Sequence, residues 1–165
     1  MELILDDMHR KAIEHHGEMG FPDEVCGFLI GTSRGDTKTI TDVWSIANAW
    51  DDAGNALEGA SDEFLGQEKR RRFFIPPGEW QEADQRARRE GKDILGCYHT
   101  HPNHPARPSV YDLEMARGTF PGYSYIILSV QNGVADEMTS WVLRDDYSEF
   151  DEESITPPGE PYGNQ

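Results

Sequence analysis

The chain has 165 residues, 36% hydrophobic and 28% charged, which fits one globular domain with a sizeable core. Its 31 acidic and 15 basic residues give a formal net charge of −16, and only four of the basic residues are lysine. That balance excludes sequence-independent binding to DNA or RNA, which needs clustered Lys and Arg to meet phosphates, and it disfavours docking on anionic membranes. An acid-rich, Lys-poor surface suits a high-salt cytoplasm as well as plain solubility.

Glu2–Leu5 is a short apolar run, read as an edge strand. Asp6 or Asp7 offers an N-cap, and Met8, Ala12, Ile13, His16 and Met19 recur at helical spacing until Gly20 stops the helix. Val25–Thr32 is a compact apolar run, Ser33–Asp36 a turn, and Thr37–Ala47 a run rich in β-branched residues, so the two runs predict a hairpin. Residues 48–71 have no period, carry Gly54, Gly59 and Gly66, and lead into the basic run Lys69–Arg72. A loop of that length in a small domain points to function or disorder.

Phe73–Ile75 reads as a short strand, and Pro77 opens a helix that runs through Glu79–Glu90 to Gly91. Asp93–His99 is the next strand. Pro102–Pro108 is too proline-rich for regular structure, and Ser109 is an N-cap for a short helix to Arg117. Tyr123–Val130 and Glu137–Arg144 are strands joined at Asn132-Gly133, a strong hairpin signal. The main elements run β-α-β-β-α-β-α-β-β, an α/β domain over residues 1–144 with a mixed central sheet flanked by helices. Residues 145–165 are acidic, then rich in Pro and Gly, and read as a C-terminal tail.

Cys26 and Cys97 both lie in apolar runs and form no CxxC pair, so they read as small buried hydrophobes rather than thiolate ligands. The N-terminus has no basic start followed by an apolar stretch, and no run approaches 18 apolar residues. A cytoplasmic protein is the expectation.

The chemistry centres on His99-Thr-His101. Residues i and i+2 of a strand share a face, so two imidazoles at a strand end can reach one metal ion. Asp112 follows eleven residues after His101, at the start of the next element, where the proline-rich loop can fold back and present its carboxylate. Two His and one carboxylate leave a fourth tetrahedral position open, the catalytic arrangement for zinc, although Fe(II) or Mn(II) would also fit.

The string His99-Thr-His101-Pro102 followed by Ser109-Val-Tyr-Asp112 resembles the HxHP…SxxD signature of the JAMM, or MPN-plus, metallopeptidases. Glu24, in Pro22-Asp-Glu24-Val-Cys-Gly-Phe-Leu-Ile-Gly31, matches that family's upstream glutamate, and His101–Ser109 resembles its small stand-alone prokaryotic branch. The resemblance covers roughly residues 1–144. It implies an MPN, cytidine-deaminase-like fold, with Zn2+ held by His99, His101 and Asp112. It also implies that Glu24 takes a proton from water and delivers it to the leaving amine. Ser109 would bind the oxyanion or position the water, besides capping its helix.

Hydrolysis of an amide or isopeptide bond follows from this resemblance, and so does the substrate class: the C-terminus of a ubiquitin-like or sulfur-carrier protein. In such enzymes the substrate tail docks as an added strand, which makes Thr37–Ala47 and the 48–72 loop the expected groove and cover. Lys69–Arg72 would either meet acids on the partner or simply be solvated. His104 is expected to serve the loop rather than the metal. Arg107 would meet a substrate carboxylate or form a structural salt bridge. Two other readings stay open, a non-catalytic MPN-type scaffold and a metallopeptidase acting on short peptides. A zinc deaminase is set aside, since the chain has no PCxxC.

Overall fold

The computed structural model describes residues 1–48 and 73–159. The 48–72 loop beyond Asn48, the Lys69–Arg72 run and residues 160–165 lie outside them. The elements are β1 (Glu2–Ile4), α1 (Asp7–Gly20), β2 (Cys26–Arg34), β3 (Thr37–Ile46), α2 (Pro77–Arg89), β4 (Asp93–Pro102), α3 (Val110–Arg117), β5 (Ser124–Gln131), β6 (Val134–Leu143) and β7 (Phe150–Thr156).

The strands close into a barrel in the order β1-β3-β2-β4-β5-β6-β7. Pairing is parallel at β1/β3, β1/β7 and β4/β5 and antiparallel elsewhere, so the sheet is mixed, as expected. Two chain signals set the hairpins. Gly35 at φ 61° turns β2 into β3. Asn132 and Gly133, at φ 51° and 85°, make the turn between β5 and β6 that a right-twisted hairpin favours.

Alternation along the strands gives two apolar faces. One carries Leu3, Leu29, Ile40, Leu95, Tyr98, Ile126 and Leu128 and packs with Ile13 of α1. The other carries Cys26, Phe28, Ile30, Ile94, Cys97 and Tyr125 and receives Ala83 and Ala87 of α2 and Ala116 of α3. The small residues on α2 let its backbone come close, and Trp80 meets Phe28 edge-on at 5.0 Å between ring centroids. Gly17 does the same for α1, because a Cβ there would stand 2.9 Å from Thr100 Cγ2.

Three expectations need correction. Phe73–Ile75 is not a strand; its side chains are buried as an irregular approach to α2, so apolar content signalled burial rather than ladder pairing. Glu2–Ile4 is not an edge, because β3 and β7 flank it on both sides. The stretch read as a tail contains β7, which pairs with β6 and β1 and closes the barrel. Its apolar residues lie on opposite faces, Phe150 against the core under α2 and Ile155 against the core under α1, and the buried Glu153 accepts from Ser140 Oγ at 2.7 Å.

Ending the chain at residue 144 would leave β1 and β6 without a shared partner. Such a truncation is expected to cost more than about 2 kcal/mol, through lost burial of Ile155 and exposed strand edges. Urea unfolding of the two chains measures this; equal midpoints would show that β7 adds nothing.

Candidate metal centre

β4 runs between β2 and β5, with both faces covered, and its end carries His99, Thr100 and His101. His99 pairs with Cys26 on β2 and with Ile127 on β5, and His101 pairs with Ser129. Two residue pairs beyond Cys26 and His99, past the start of β2, the same register would set Glu24 opposite His101. Thr100 faces away from the histidines, as expected, and does more than pack. Its Oγ1 accepts from Val25 N at 2.9 Å and its N–H donates to Val25 O at 3.1 Å, fixing the residue beside Glu24. Asn48 Nδ2 donates to Glu24 O at 3.0 Å while its Oδ1 accepts from Phe74 N at 3.1 Å. Glu24 itself is buried, at 4% exposure.

Asp112 is delivered by helix capping. Ser109 Oγ accepts from Asp112 N at 3.1 Å, and Ser109 N donates to Asp112 Oδ2 at 2.9 Å, a reciprocal capping box at the start of α3. The SxxD spacing is thus N-cap to third helical residue, and it aims the carboxylate back at β4. Ser109 is half-buried, and its hydroxyl oxygen holds the first turn of the helix.

The three side chains converge. Asp112 Oδ1 lies 3.0 Å from His99 Nε2, Asp112 Oδ2 lies 3.0 Å from His101 Nε2, and the two Nε2 atoms are 3.2 Å apart. His101 Nδ1 donates to Pro105 O at 2.8 Å, which leaves Nε2 as the lone-pair nitrogen of a neutral ring. His99 stacks on Phe73 with ring centroids 4.4 Å apart, and its Nδ1 has no hydrogen-bond partner among the described residues.

Charge and proton states favour a cation. Burial pushes the His99 imidazole below its ordinary range, against the pull of Asp112. Burial alone would raise the Asp112 carboxyl, but His99 and His101 outweigh it and hold the group well below the usual carboxylate range. Neutral imidazole and ionised carboxylate are the forms that bind metal. A lone-pair nitrogen 3.0 Å from a carboxylate oxygen is repulsive unless a proton or a cation lies between them. Spacings of 3.0–3.2 Å are also close to the edge of about 3.3 Å expected of a tetrahedron with zinc-ligand bonds of about 2.0–2.1 Å. The donor set fits a divalent metal.

Neighbouring residues sort as follows. His104 is exposed and stands outside the converging group. Arg107 takes the structural option, its Nη1 donating to Glu137 Oε1 at 2.6 Å. Burial, followed by the Glu24 charge, pushes the Cys26 thiol up to about 12, and burial also raises Cys97, so neither offers a thiolate. A cleft of about 970 Å³ opens on the same sheet face, lined by Phe73, Trp80, Met115, Tyr123 and Tyr125 among others. Sequence reasoning missed this cleft and the Phe73 stack, because ring packing between distant segments leaves no local spacing.

With the geometry in place, likeness to known proteins can be read. The chain matches the prokaryotic homologues of the JAB domain over residues 6–144. It belongs to that family. A desampylase of Haloferax volcanii is 32% identical over 124 residues, covering 73% of this chain and 75% of that protein. A solution structure from Desulfitobacterium hafniense superposes with a TM-score of 0.73 at 26% identity, covering 99% of this chain and 97% of that one. A JAB1/MPN domain protein of Archaeoglobus fulgidus shares the fold, with a TM-score of 0.51 at 16% identity over 94% of this chain and 99% of its own. The JAMM resemblance read from HxHP…SxxD is therefore correct at the level of family. No helix among the described residues is long and apolar enough to cross a membrane.

Replacing His101 or Asp112 by Ala is expected to lower bound metal from about one per chain to less than about 0.1, since three protein ligands hold such an ion. Metal analysis of the purified variants checks this; undiminished metal would place the ion elsewhere.

Proposed function

We propose that this JAMM-type hydrolase is a zinc-dependent peptidase or isopeptidase that cleaves an amide bond at the C-terminus of a ubiquitin-like or sulfur-carrier protein. The convergence of His99, His101 and Asp112 carries the reading. The desampylase relative supports a ubiquitin-like modifier as the substrate class.

Zinc, when bound by the three side chains, supplies a Lewis acid that makes water nucleophilic near neutral pH. The chain's own residues do the rest. Glu24, buried and two residues ahead of the strand paired with β4, accepts a proton from the attacking water. The water oxygen bonds to the scissile carbonyl carbon, and the carbonyl oxygen gains the charge. Ser109 donates its hydroxyl proton in a hydrogen bond to that oxygen while its lone pair stays with Asp112 N. The carbon–nitrogen bond then breaks, and Glu24 returns its proton to the leaving amine.

The substrate tail has a place to lie. β1 covers β3 only at Thr37–Thr39, so from Ile40 onward the outer edge of β3 has no strand partner among the described residues. An extended C-terminus can add there as a strand running toward the metal end of the sheet.

Glu24→Gln is expected to keep its zinc and lose activity by about 10²–10⁴-fold, the usual contribution of a positioned general base. The assay presents ubiquitin-like and sulfur-carrier proteins bearing C-terminal extensions and reads the products by mass. Turnover near that of the unaltered chain would remove Glu24 from the mechanism. Absence of cleavage by the zinc-loaded chain on every carrier would favour the scaffold or short-peptide readings.

A further inference from the structure

The loop from Asn103 to Pro108 is irregular, yet two of its carbonyls, those of His104 and Ala106, are held by the sheet beside it. Pro105 O, which receives His101 Nδ1–H, sits between two carbonyls held by buried hydroxyls. Ser129 Oγ donates to His104 O at 2.6 Å, and Thr139 Oγ1 donates to Ala106 O at 2.7 Å. Each hydroxyl in turn accepts from a side chain two residues on along its own strand. Gln131 Nε2 donates to Ser129 Oγ at 2.7 Å, and Trp141 Nε1 donates to Thr139 Oγ1 at 2.8 Å. Accepting that bond commits each hydroxyl proton to the loop.

Strand register explains why these two positions serve. Ser129 pairs with His101 across β4/β5, and Thr139 pairs with Ile127, the partner of His99, across β5/β6. Both therefore face the metal side of the sheet. Ser129 is 1% and Thr139 7% exposed, so an unmade bond at either would be costly. Proline at 105 has no N–H, so the His104–Pro105 peptide plane can be fixed only through the His104 carbonyl, while Arg107 N donates to Pro105 O at 2.8 Å and closes a tight turn.

We infer that Ser129 and Thr139 are positioning residues for the metal centre: by clamping the carbonyls on either side of Pro105, they aim Pro105 O at His101 Nδ1 and so present His101 Nε2 to the ion. This rests on the proposal that the chain binds zinc. Partners that orient a metal-bound histidine commonly change metal affinity by about 10–100-fold when removed. The two hydroxyls lie one step further out, which sets the expectation at the low end of that range.

The test uses the full chain. Zinc affinity is measured by competition with a chelator for the unaltered protein, Ser129→Ala, Thr139→Val and Thr139→Ser. NMR of the zinc-loaded proteins follows the His101 Nδ1 proton and its exchange with water. Ser129→Ala and Thr139→Val are expected to bind zinc about tenfold more weakly and to expose that proton to exchange. Thr139→Ser, which keeps the hydroxyl, should restore both readings, whereas a purely packing role would not recover with the methyl gone. Ser129→Ala removes one oxygen and decides the matter even where Thr139→Val does not fold. Affinities within about twofold of the unaltered chain, with the Nδ1 proton still protected, would overturn the inference. If the unaltered chain takes up no zinc, the metal centre itself fails and the inference falls with it.

Discussion

The pairing of β4 with β2 on one side and β5 on the other governs the rest of the molecule. It sets His99 and His101 on one face of a strand that is buried over nearly its whole length. The same pairings bring Ser129 beside His101 from β5 and leave Glu24 just ahead of β2, two residues before the partner of His99. A slip of one residue would turn both imidazoles into the opposite apolar face, among Tyr98, Leu128 and Val130, where neither could be satisfied. Backbone contacts enforce the register. Gly96 sits at φ 153°, and a Cβ there would lie 1.8 Å from Ser124 O, so β4 and β5 meet at a spacing only glycine allows.

Asp112 shows how one carboxylate serves two purposes. Its backbone N–H and side chain close the capping box with Ser109, and the same side chain faces both imidazoles. Capping orients it before any ion is considered. The helix it caps is short, Val110–Arg117, and packs through Ala116 and the partly buried Leu113, so the carboxylate's position depends on few contacts besides the box. This is why the Ser and Asp of SxxD belong together physically: the hydroxyl holds the backbone N–H of the residue whose carboxylate meets β4, and the serine's own N–H holds that carboxylate.

Much of this was legible in the sequence because it is local. The i, i+2 spacing of His99 and His101 follows from strand geometry, and Ser109 to Asp112 is the spacing of an N-cap to its third residue. Asn132-Gly133 specified its turn for the same reason. What the sequence hid is non-local. β7 carries Phe150, Ile155 and Glu153 amid acids, and its strand character comes from partners more than a hundred residues away in β1 as well as from nearby β6. Phe73–Ile75 has strand-like composition, but its apolar side chains are used against His99 and α2 instead. Arg107 offered two readings, and Glu137, thirty residues on, decides between them.

The buried charge links folding to the metal. An ionised Asp112 at 9% exposure is costly unless compensated, and His99 and His101 beside it supply much of that compensation although burial works against a charged His99. Backbone N–H donation from Ser109 supplies part of the compensation, and the N-terminus of α3 adds a modest partial positive charge. A divalent ion between the carboxylate and two lone-pair nitrogens would supply the rest. Its binding energy would then also stabilise the folded arrangement of β4, the proline-rich loop and α3. The same atoms that could hold a metal would thus make it a structural partner of the segment around it. In such a site the carbonyl of Pro105, which receives His101 Nδ1–H, is part of the same loop that the ion would stabilise.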